Sequence, residues 1–248
     1  MLDILNLDRE GILSMDPNDI DRRLKADEVI HMATRLEAYW TYNYEAAKAG
    51  KLGFHAILKS GLHSNGFFMS SHLLEPENVR TIMAKQIVRR LQAAEIRAPT
   101  HMAGVPNGAT ELAKAVSREL GTQYVELKKE EGKIVLKDKV PPGARLLLGD
   151  DACTRGTGFR EGVEEILLSP LFQKGAELVQ VYPVILNRGG LEDVQAAGRW
   201  YFPVLPIVVR RLQDWDPTHF CDLCAKGSKA IKPKVDDATW QRFIHSQD

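Results

Sequence analysis

The 248-residue sequence has no excess of either charge, few cysteines and no long apolar run, and each lack removes a class of protein. Lysine plus arginine number 33, as do aspartate plus glutamate, for a formal net charge of zero. Chains that coat nucleic acid or an anionic membrane carry a basic excess, so neither partner is expected. Three cysteines, an odd number, do not build a disulfide framework. No stretch reaches the ~18 uninterrupted apolar residues of a membrane helix. The most apolar segment, 201–209, is broken by Pro203 and Pro206. The acidic opening, residues 1–8, lacks the basic-then-apolar run of a secretory signal. The expectation is a soluble, cytoplasmic protein, without repeats or low-complexity tracts. Its length suits one large α/β domain with an extension, or two small domains.

Residues 1–24 read as an irregular, poorly fixed lead-in, and 26–51 as a helix rich in Ala, Glu and Arg. The aromatic cluster Tyr39, Trp40, Tyr42 and Tyr44 reads as packing or dimer surface. Two short strands, 54–59 and 67–73, flank a turn-rich stretch, Ser60 to Gly66. Val79, Ile82, Met83, Ile87 and Leu91 recur at helical spacing after Glu75. Strands and helices then alternate: strand 99–105, helix 108–120, strand 123–127, a charged excursion 128–139, strand 144–149, helix 158–173, and strands 177–186 and 202–209. That order implies an α/β fold with an open, mainly parallel, Rossmann-like sheet. Such sheets bind ligands at the carboxyl ends of their strands, near the switch in strand order.

The most informative segment is Ala144-Arg-Leu-Leu-Leu-Gly-Asp-Asp-Ala-Cys-Thr-Arg-Gly-Thr-Gly158. An apolar strand runs into Asp150 and Asp151, then a small, glycine-containing turn, then a helix. Glycines let backbone N–H groups converge on one point, and the helix start adds a positive dipole end, a cradle for phosphate. Thr154 and Thr157 add hydroxyls and Arg155 a cation. Two carboxylates beside a phosphate serve something else, and ribose hydroxyls or hydrated magnesium fit them. No G-x-x-x-x-G-K-[ST] exists, and Gly156-Thr-Gly158 continues one residue too long for G-x-G-x-x-G. The bland reading is a strand–turn–helix whose Asp and Thr cap the helix.

The strand, acidic pair and Thr-Arg-Gly-Thr-Gly loop resemble the phosphoribosyl pyrophosphate signature of type I phosphoribosyltransferases, and the remainder resembles the orotate phosphoribosyltransferase branch. Lys59-Ser-Gly-Leu-His-Ser-Asn-Gly-Phe-Phe68 is similar to the N-terminal hood of that branch, and Ala103-Gly-Val-Pro-Asn-Gly108 to its pyrophosphate loop. Lys128-Lys-Glu130 resembles the start of its mobile catalytic loop, and Asn187-Arg-Gly-Gly190 its late turn. The resemblance implies a type I fold with a small hood and a C-terminal extension, divided as 1–75 (lead-in, helix and hood), 76–210 (core) and 211–248 (extension). It implies magnesium as cofactor, phosphoribosyl pyrophosphate and a nitrogenous base as substrates, and a homodimer. Asp150 and Asp151 would hold ribose hydroxyls, directly or through metal-bound water. Ala152, Cys153, Thr154, Arg155, Gly156, Thr157 and Gly158 would bind the 5′-phosphate side of the donor. Gly104, Val105, Pro106, Asn107 and Gly108 would face pyrophosphate, with Lys128 and Lys129 neutralising it as it leaves. Lys59, Phe67, Phe68 and Arg188 would line the base pocket, and two cations there suit an anionic base such as orotate.

The sequence departs from the family pattern where the loop reads Glu130-Glu-Gly-Lys-Ile-Val-Leu-Lys137 without a histidine, and where Asn187 replaces the usual aspartate. The alternatives are the same transfer to another base, or a regulator that binds the donor without catalysis. The five lysines within 128–139 suit a loop that meets a polyanion, or else a solvated hairpin. Cys153 sits where a helix start lowers a thiol pKa, but reads as a small packing spacer. Cys221 and Cys224 have zinc-knuckle spacing with His219 close by, yet no second C-x-x-C completes four ligands. The expected reading is therefore a reduced pair stabilising a turn, with zinc shared between subunits as the alternative. His63 and His101 read as structural or pocket-edge residues. The tail from Lys226, with Lys229, Lys232 and Lys234, reads as an exposed strap.

Overall fold

The computed structural model describes residues 2–248, which group into two compact units, each built from two chain segments. One comprises the chain up to Met32 together with Leu73–Arg211, and the other Ala33–His72 together with Leu212–Asp248. Where the sequence separates a hood from a C-terminal extension, the structure groups 33–72 with 212–248 and the lead-in with the core. Among the described residues no helix is long and apolar enough to cross a membrane.

The first unit contains, in chain order, α1 (Glu77–Ala93), β1 (His101–Gly104), α2 (Thr110–Leu120), β2 (Gln123–Tyr124), β3 (Leu127–Glu130), β4 (Lys133–Leu136), β5 (Arg145–Cys153), α3 (Thr157–Leu168), β6 (Glu177–Leu178), β7 (Tyr182–Asn187), β8 (Asp193–Ala196) and β9 (Trp200–Val209). Its sheet has the order β8–β9–β7–β5–β1–β2, with β6 also beside β5. Every pairing is parallel except β8 with β9. The fold is thus α/β with a mixed, mostly parallel sheet, as its alternating strands and helices imply. Continuous apolar runs such as Leu146–Leu148 and Val184–Leu186 are buried, as strands covered on both faces must be. Phe159 of α3 stacks on Tyr182 at 3.8 Å and meets Phe202 edge-on at 5.2 Å.

The charged excursion is a hairpin. β3 and β4 pair antiparallel around Glu131 and Gly132, both at positive φ. Ile134 and Leu136 alternate into the core, and the Leu136 N–H donates to Glu165 of α3 at 3.1 Å. The lead-in, expected to be poorly fixed, is tied down instead by polar side chains of α1. Asn78 donates to the carbonyls of Ile12, Leu13 and Met15. Buried Gln86 accepts from the Leu24 N–H at 2.7 Å and donates to the Arg22 carbonyl at 2.9 Å. Irregular backbone must find partners somewhere, and these side chains supply them.

In the second unit four strands lie in the order Asp214–Trp215, His63–Ser64, Phe54–Ile57 and Lys229–Ile231. The helix expected over 26–51 is interrupted: Ala26–Arg35 and Tyr44–Lys48 are helical, but Tyr39–Thr41 is a strand pairing with Gly66–Phe68. Glu37 at φ 54 ends the first helix, and Tyr, Trp and Thr suit a half-buried pleated surface better than a helix. The strand expected over 67–73 likewise stops at Phe68, and Ser70–Leu74 is helical. The tail lysines Lys226, Lys229, Lys232 and Lys234 are exposed, as a strap implies, but the tail also packs inward. Its helix Asp237–Ile244 buries Trp240 and Phe243, which stack at 5.7 Å beside Trp40.

Two outcomes follow from this packing. Phe159→Ala should lower the unfolding free energy by about 3–5 kcal/mol in a urea titration, because the ring is wholly enclosed. Arg22, hydrogen-bonded to Glu28, holds that carboxyl below its ordinary 4.5, with the Lys25 N–H adding to the effect. A depressed folded-state pKa adds stability above about pH 4.5 that is lost as pH falls through the folded value. Glu28→Gln should therefore reduce stability at neutral pH and flatten the acid slope of unfolding free energy against pH.

Candidate functional site

The strand order reverses at β1: the chain continues from it to β2 on one side, while β5, β7 and β9 lie on the other. The loops after β1 and β5 therefore leave adjacent strand ends, where an open α/β sheet forms its crevice. Gly104 and Gly149 face each other in register, and the Val105 N–H donates to the Gly149 carbonyl at 2.9 Å. In the first loop Val105 is buried, Pro106 half-buried, and Asn107 and Gly108 exposed; the Pro106–Asn107 peptide is cis. In the second, Ala152 and Cys153 end β5, and Thr154 to Gly156 lead into α3. Gly156, at φ 68, is the N-cap and has no side chain to satisfy the first-turn N–H groups. Those donors and the dipole end behind them are open to an anion. Arg155 and Thr157 are exposed beside them, and Thr154 and Gly158 are half-buried.

The late turn presses on this loop. The Arg188 N–H donates to the Cys153 carbonyl at 2.9 Å, and a Cβ on Gly189 would lie 1.9 Å from the Thr154 carbonyl oxygen. Asn187 closes that turn in both directions, donating to the Leu191 carbonyl at 2.7 Å and accepting from its N–H at 3.2 Å. A carboxylate has no donor to offer, so the amide here has a structural reason.

Successive strand residues face opposite ways, and the acidic pair divides accordingly. Asp150 is only 7% exposed, and it accepts from the Tyr182 hydroxyl at 2.9 Å and from the Asp151 N–H at 2.9 Å. Burial, then the neighbouring Asp151 charge, hold its carboxyl well above the usual range. Asp151 is half-buried, and its Oδ1 accepts from the Ala152 N–H at 2.8 Å. Its Oδ2 is the atom that a Cβ on Gly108 would meet, at 2.4 Å. Asp151 thus faces the loop after β1, while Asp150 is engaged inside the fold. Cys153 is fully enclosed, and burial pushes its thiol up to about 11, in keeping with a packing role.

The hairpin lysines are exposed. Lys128 pairs with Glu126 at 3.2 Å and Lys137 with Glu130 at 2.9 Å, so two of the cations meet acids of their own hairpin region. Lys129 and Lys133 lie on its solvent side. Arg188 is buried in this first unit. In the second unit Lys59 is exposed in the turn between Phe54–Ile57 and His63–Ser64. Phe67 packs 5.8 Å from Trp240, and Phe68, opposite Tyr39, is half-buried. His101 lies at the opening of β1, bonded to Thr100.

The C-x-x-C pair is not alone. His55 and His63 from the neighbouring hairpin reach Cys221 and Cys224, so the third and fourth ligands that spacing fails to reveal come from residues 161 and 169 positions away. His219 lies outside this cluster, exposed and paired with Asp216 at 3.3 Å. Tyr182 is not singled out by the sequence, where its one signal is a hydroxyl within an otherwise apolar strand. Its loss should be measurable: Tyr182→Phe removes the donor to buried Asp150 and should lower the urea unfolding free energy by about 1–3 kcal/mol.

No protein-family model matches the chain. It is 26% identical over 189 residues to an orotate phosphoribosyltransferase of Nitratiruptor sp., covering 72% of this chain and 90% of the relative. It is 28% identical over 194 residues to that of Carboxydothermus hydrogenoformans, covering 77% and 95%. Among solved structures, the orotate phosphoribosyltransferase of Aeropyrum pernix superposes with a TM-score of 0.53 at 15% identity, over 73% of this chain and 93% of that one. Leishmania donovani UMP synthase gives 0.55 at 18% identity, over 77% of this chain and 38% of that longer chain. These likenesses show the type I phosphoribosyltransferase fold.

Proposed function

We propose that this protein is a phosphoribosyltransferase that moves the phosphoribosyl group of phosphoribosyl pyrophosphate to a nitrogenous base, orotate, and releases pyrophosphate. One observation carries the reading: the uncapped first turn of α3 and the loop after β1 leave adjacent strand ends, and between them Asp151 stands against the backbone of Gly108. The named relatives, aligned over 90% and 95% of their own lengths, support it.

Breaking the bond from C1′ to pyrophosphate develops positive charge on the sugar and negative charge on the leaving group. In this proposal the first-turn N–H groups of α3, with Thr154 and Thr157, hold the 5′-phosphate and fix the sugar. Asp151 accepts from the ribose hydroxyls and faces the developing positive charge. Asp150 is a positioning residue, braced by Tyr182. The Gly104–Gly108 backbone and the Lys128/Lys129 hairpin receive pyrophosphate. On family resemblance, Arg188 of the first unit complements an anionic base. One outward carboxylate beside two anion loops fits hydrated magnesium held chiefly by the donor's own phosphates, with Asp151 as its protein contact. When bound, that ion would neutralise charge on the leaving pyrophosphate. A cytoplasmic homodimer belongs to the same proposal, on family resemblance.

A hairpin without a histidine, with Lys128 tied to Glu126, favours a second reading, a regulator that binds the donor without transfer. Pyrophosphate release, followed with donor, magnesium and a panel of bases, separates the two. Orotate should support turnover, and Asp151→Asn should lower kcat/KM by roughly 10²-fold or more while leaving the urea midpoint near wild type. Donor binding without turnover on any base would select the regulator, and no donor binding would refute both.

A further inference from the structure

The second unit carries a cluster that the transferase chemistry does not use. His55 lies on the strand Phe54–Ile57 and His63 on its antiparallel neighbour His63–Ser64. Cys221 and Cys224 lie at the N-cap and within the short helix Asp222–Ala225, between the two tail strands that flank that hairpin. Nε2 of His55 is 3.2 Å from Nδ1 of His63, 3.5 Å from Cys221 Sγ and 3.4 Å from Cys224 Sγ. Cys224 Sγ is 3.3 Å from His63 Nδ1, and all four ligand atoms lie within 4.8 Å of one another.

Hydrogen bonding among these groups does not account for the convergence. The Ser228 hydroxyl lies 3.2 Å from the Gly53 carbonyl and 2.9 Å from Nδ1 of His55. With the hydroxyl proton on the Gly53 carbonyl, Nδ1 of His55 donates to Ser228 and Nε2 presents a lone pair to the cluster. One lone pair accepts one hydrogen bond, yet three ligand atoms crowd it. A tetrahedral centre with Zn–S of ~2.3 Å and Zn–N of ~2.0–2.1 Å sets neighbouring ligand atoms roughly 3.3–3.8 Å apart, close to the 3.2–3.5 Å of these four separations.

We propose that His55, His63, Cys221 and Cys224 bind one zinc ion as a structural Cys2His2 site that clasps the two chain segments of the second unit. Binding displaces the two thiol protons to solvent, and two thiolates with two neutral imidazoles exactly balance the dication's charge. Thiolate and imidazole select zinc over magnesium or calcium. Four protein ligands leave no open position, which makes the site structural rather than catalytic. Ser228 is the outer partner that orients His55. His55, His63 and Cys221 are buried, while Cys224 is exposed and gives the ion an entry path.

The test reads metal and unfolding, and so stands apart from the transferase assay. Full-length protein purified from zinc-supplemented medium without chelator should contain one zinc per chain by elemental analysis. Cobalt replacing it should show the intense visible bands of a tetrahedral thiolate–imidazole centre. Ser228→Ala should weaken zinc binding 10–100-fold in competition with a chromophoric chelator. His219→Ala should leave it unchanged. Chelation should lower the unfolding temperature, and zinc, but not magnesium, should restore it. Absence of stoichiometric zinc together with no tetrahedral cobalt spectrum would overturn the proposal, whether or not any variant folds. So would a Cys221–Cys224 disulfide in mapped peptides, or full zinc retention in a His55→Ala, Cys224→Ser double variant.

Discussion

At the carboxyl end of the parallel sheet, chain approaches chain more closely than a side chain allows. A Cβ on Gly189 would lie 1.9 Å from the Thr154 carbonyl oxygen, and one on Gly108 would lie 2.4 Å from Asp151. Three loops, after β1, β5 and β7, are held together by this constraint. At the first turn of α3, which has no side-chain cap, backbone N–H groups are left open beside these loops. Sites assembled this way are already organised before a ligand arrives, which is what electrostatic stabilisation of a transient charge requires.

The same strand ends divide two adjacent carboxylates into different tasks. Alternation sends Asp150 inward to Tyr182 and Asp151 outward to the opposite loop. The inner carboxyl is costly to ionise where it sits, and the tyrosine hydroxyl satisfies it. The outer one keeps contact with solvent and with whatever occupies the loops. Tyr182 in turn lies under Phe159, the residue by which α3 is anchored on the sheet. The helix whose N-terminus faces the site is thus braced on β7 by one aromatic contact, and β7 on the acid-bearing β5 by the Tyr182 hydroxyl.

The second unit solves a different problem. Its small core comes from two segments far apart in the chain, joined through the tail strand Lys229–Ile231 beside Phe54–Ile57 and through Trp240 beside Trp40 and Phe67. Small scaffolds of this kind commonly add a metal or a disulfide to a limited apolar core. The His55, His63, Cys221 and Cys224 cluster lies where such a staple joins both segments.

Much of the first unit was legible in the sequence, because its features are local: apolar runs bounded by glycine, helical spacing after Glu75, and the Asp150 to Gly158 string that sets strand, acids, turn and helix start in one segment. Local patterns are carried by neighbouring residues and need no partner elsewhere. What only the tertiary structure decided depends on pairing across long separations. The strand at Tyr39–Thr41, whose own residues suit a pleated surface, is completed by Gly66–Phe68 beside it, inside a longer stretch that reads as helix. The lead-in is ordered because Asn78, Gln86 and Arg90 reach its backbone. The two cysteines acquire two histidines only when a hairpin from the first third of the chain is paired between strands from its last. Spacing along a chain records what a segment does by itself, whereas a ligand set closed by sheet pairing is recorded only in three dimensions.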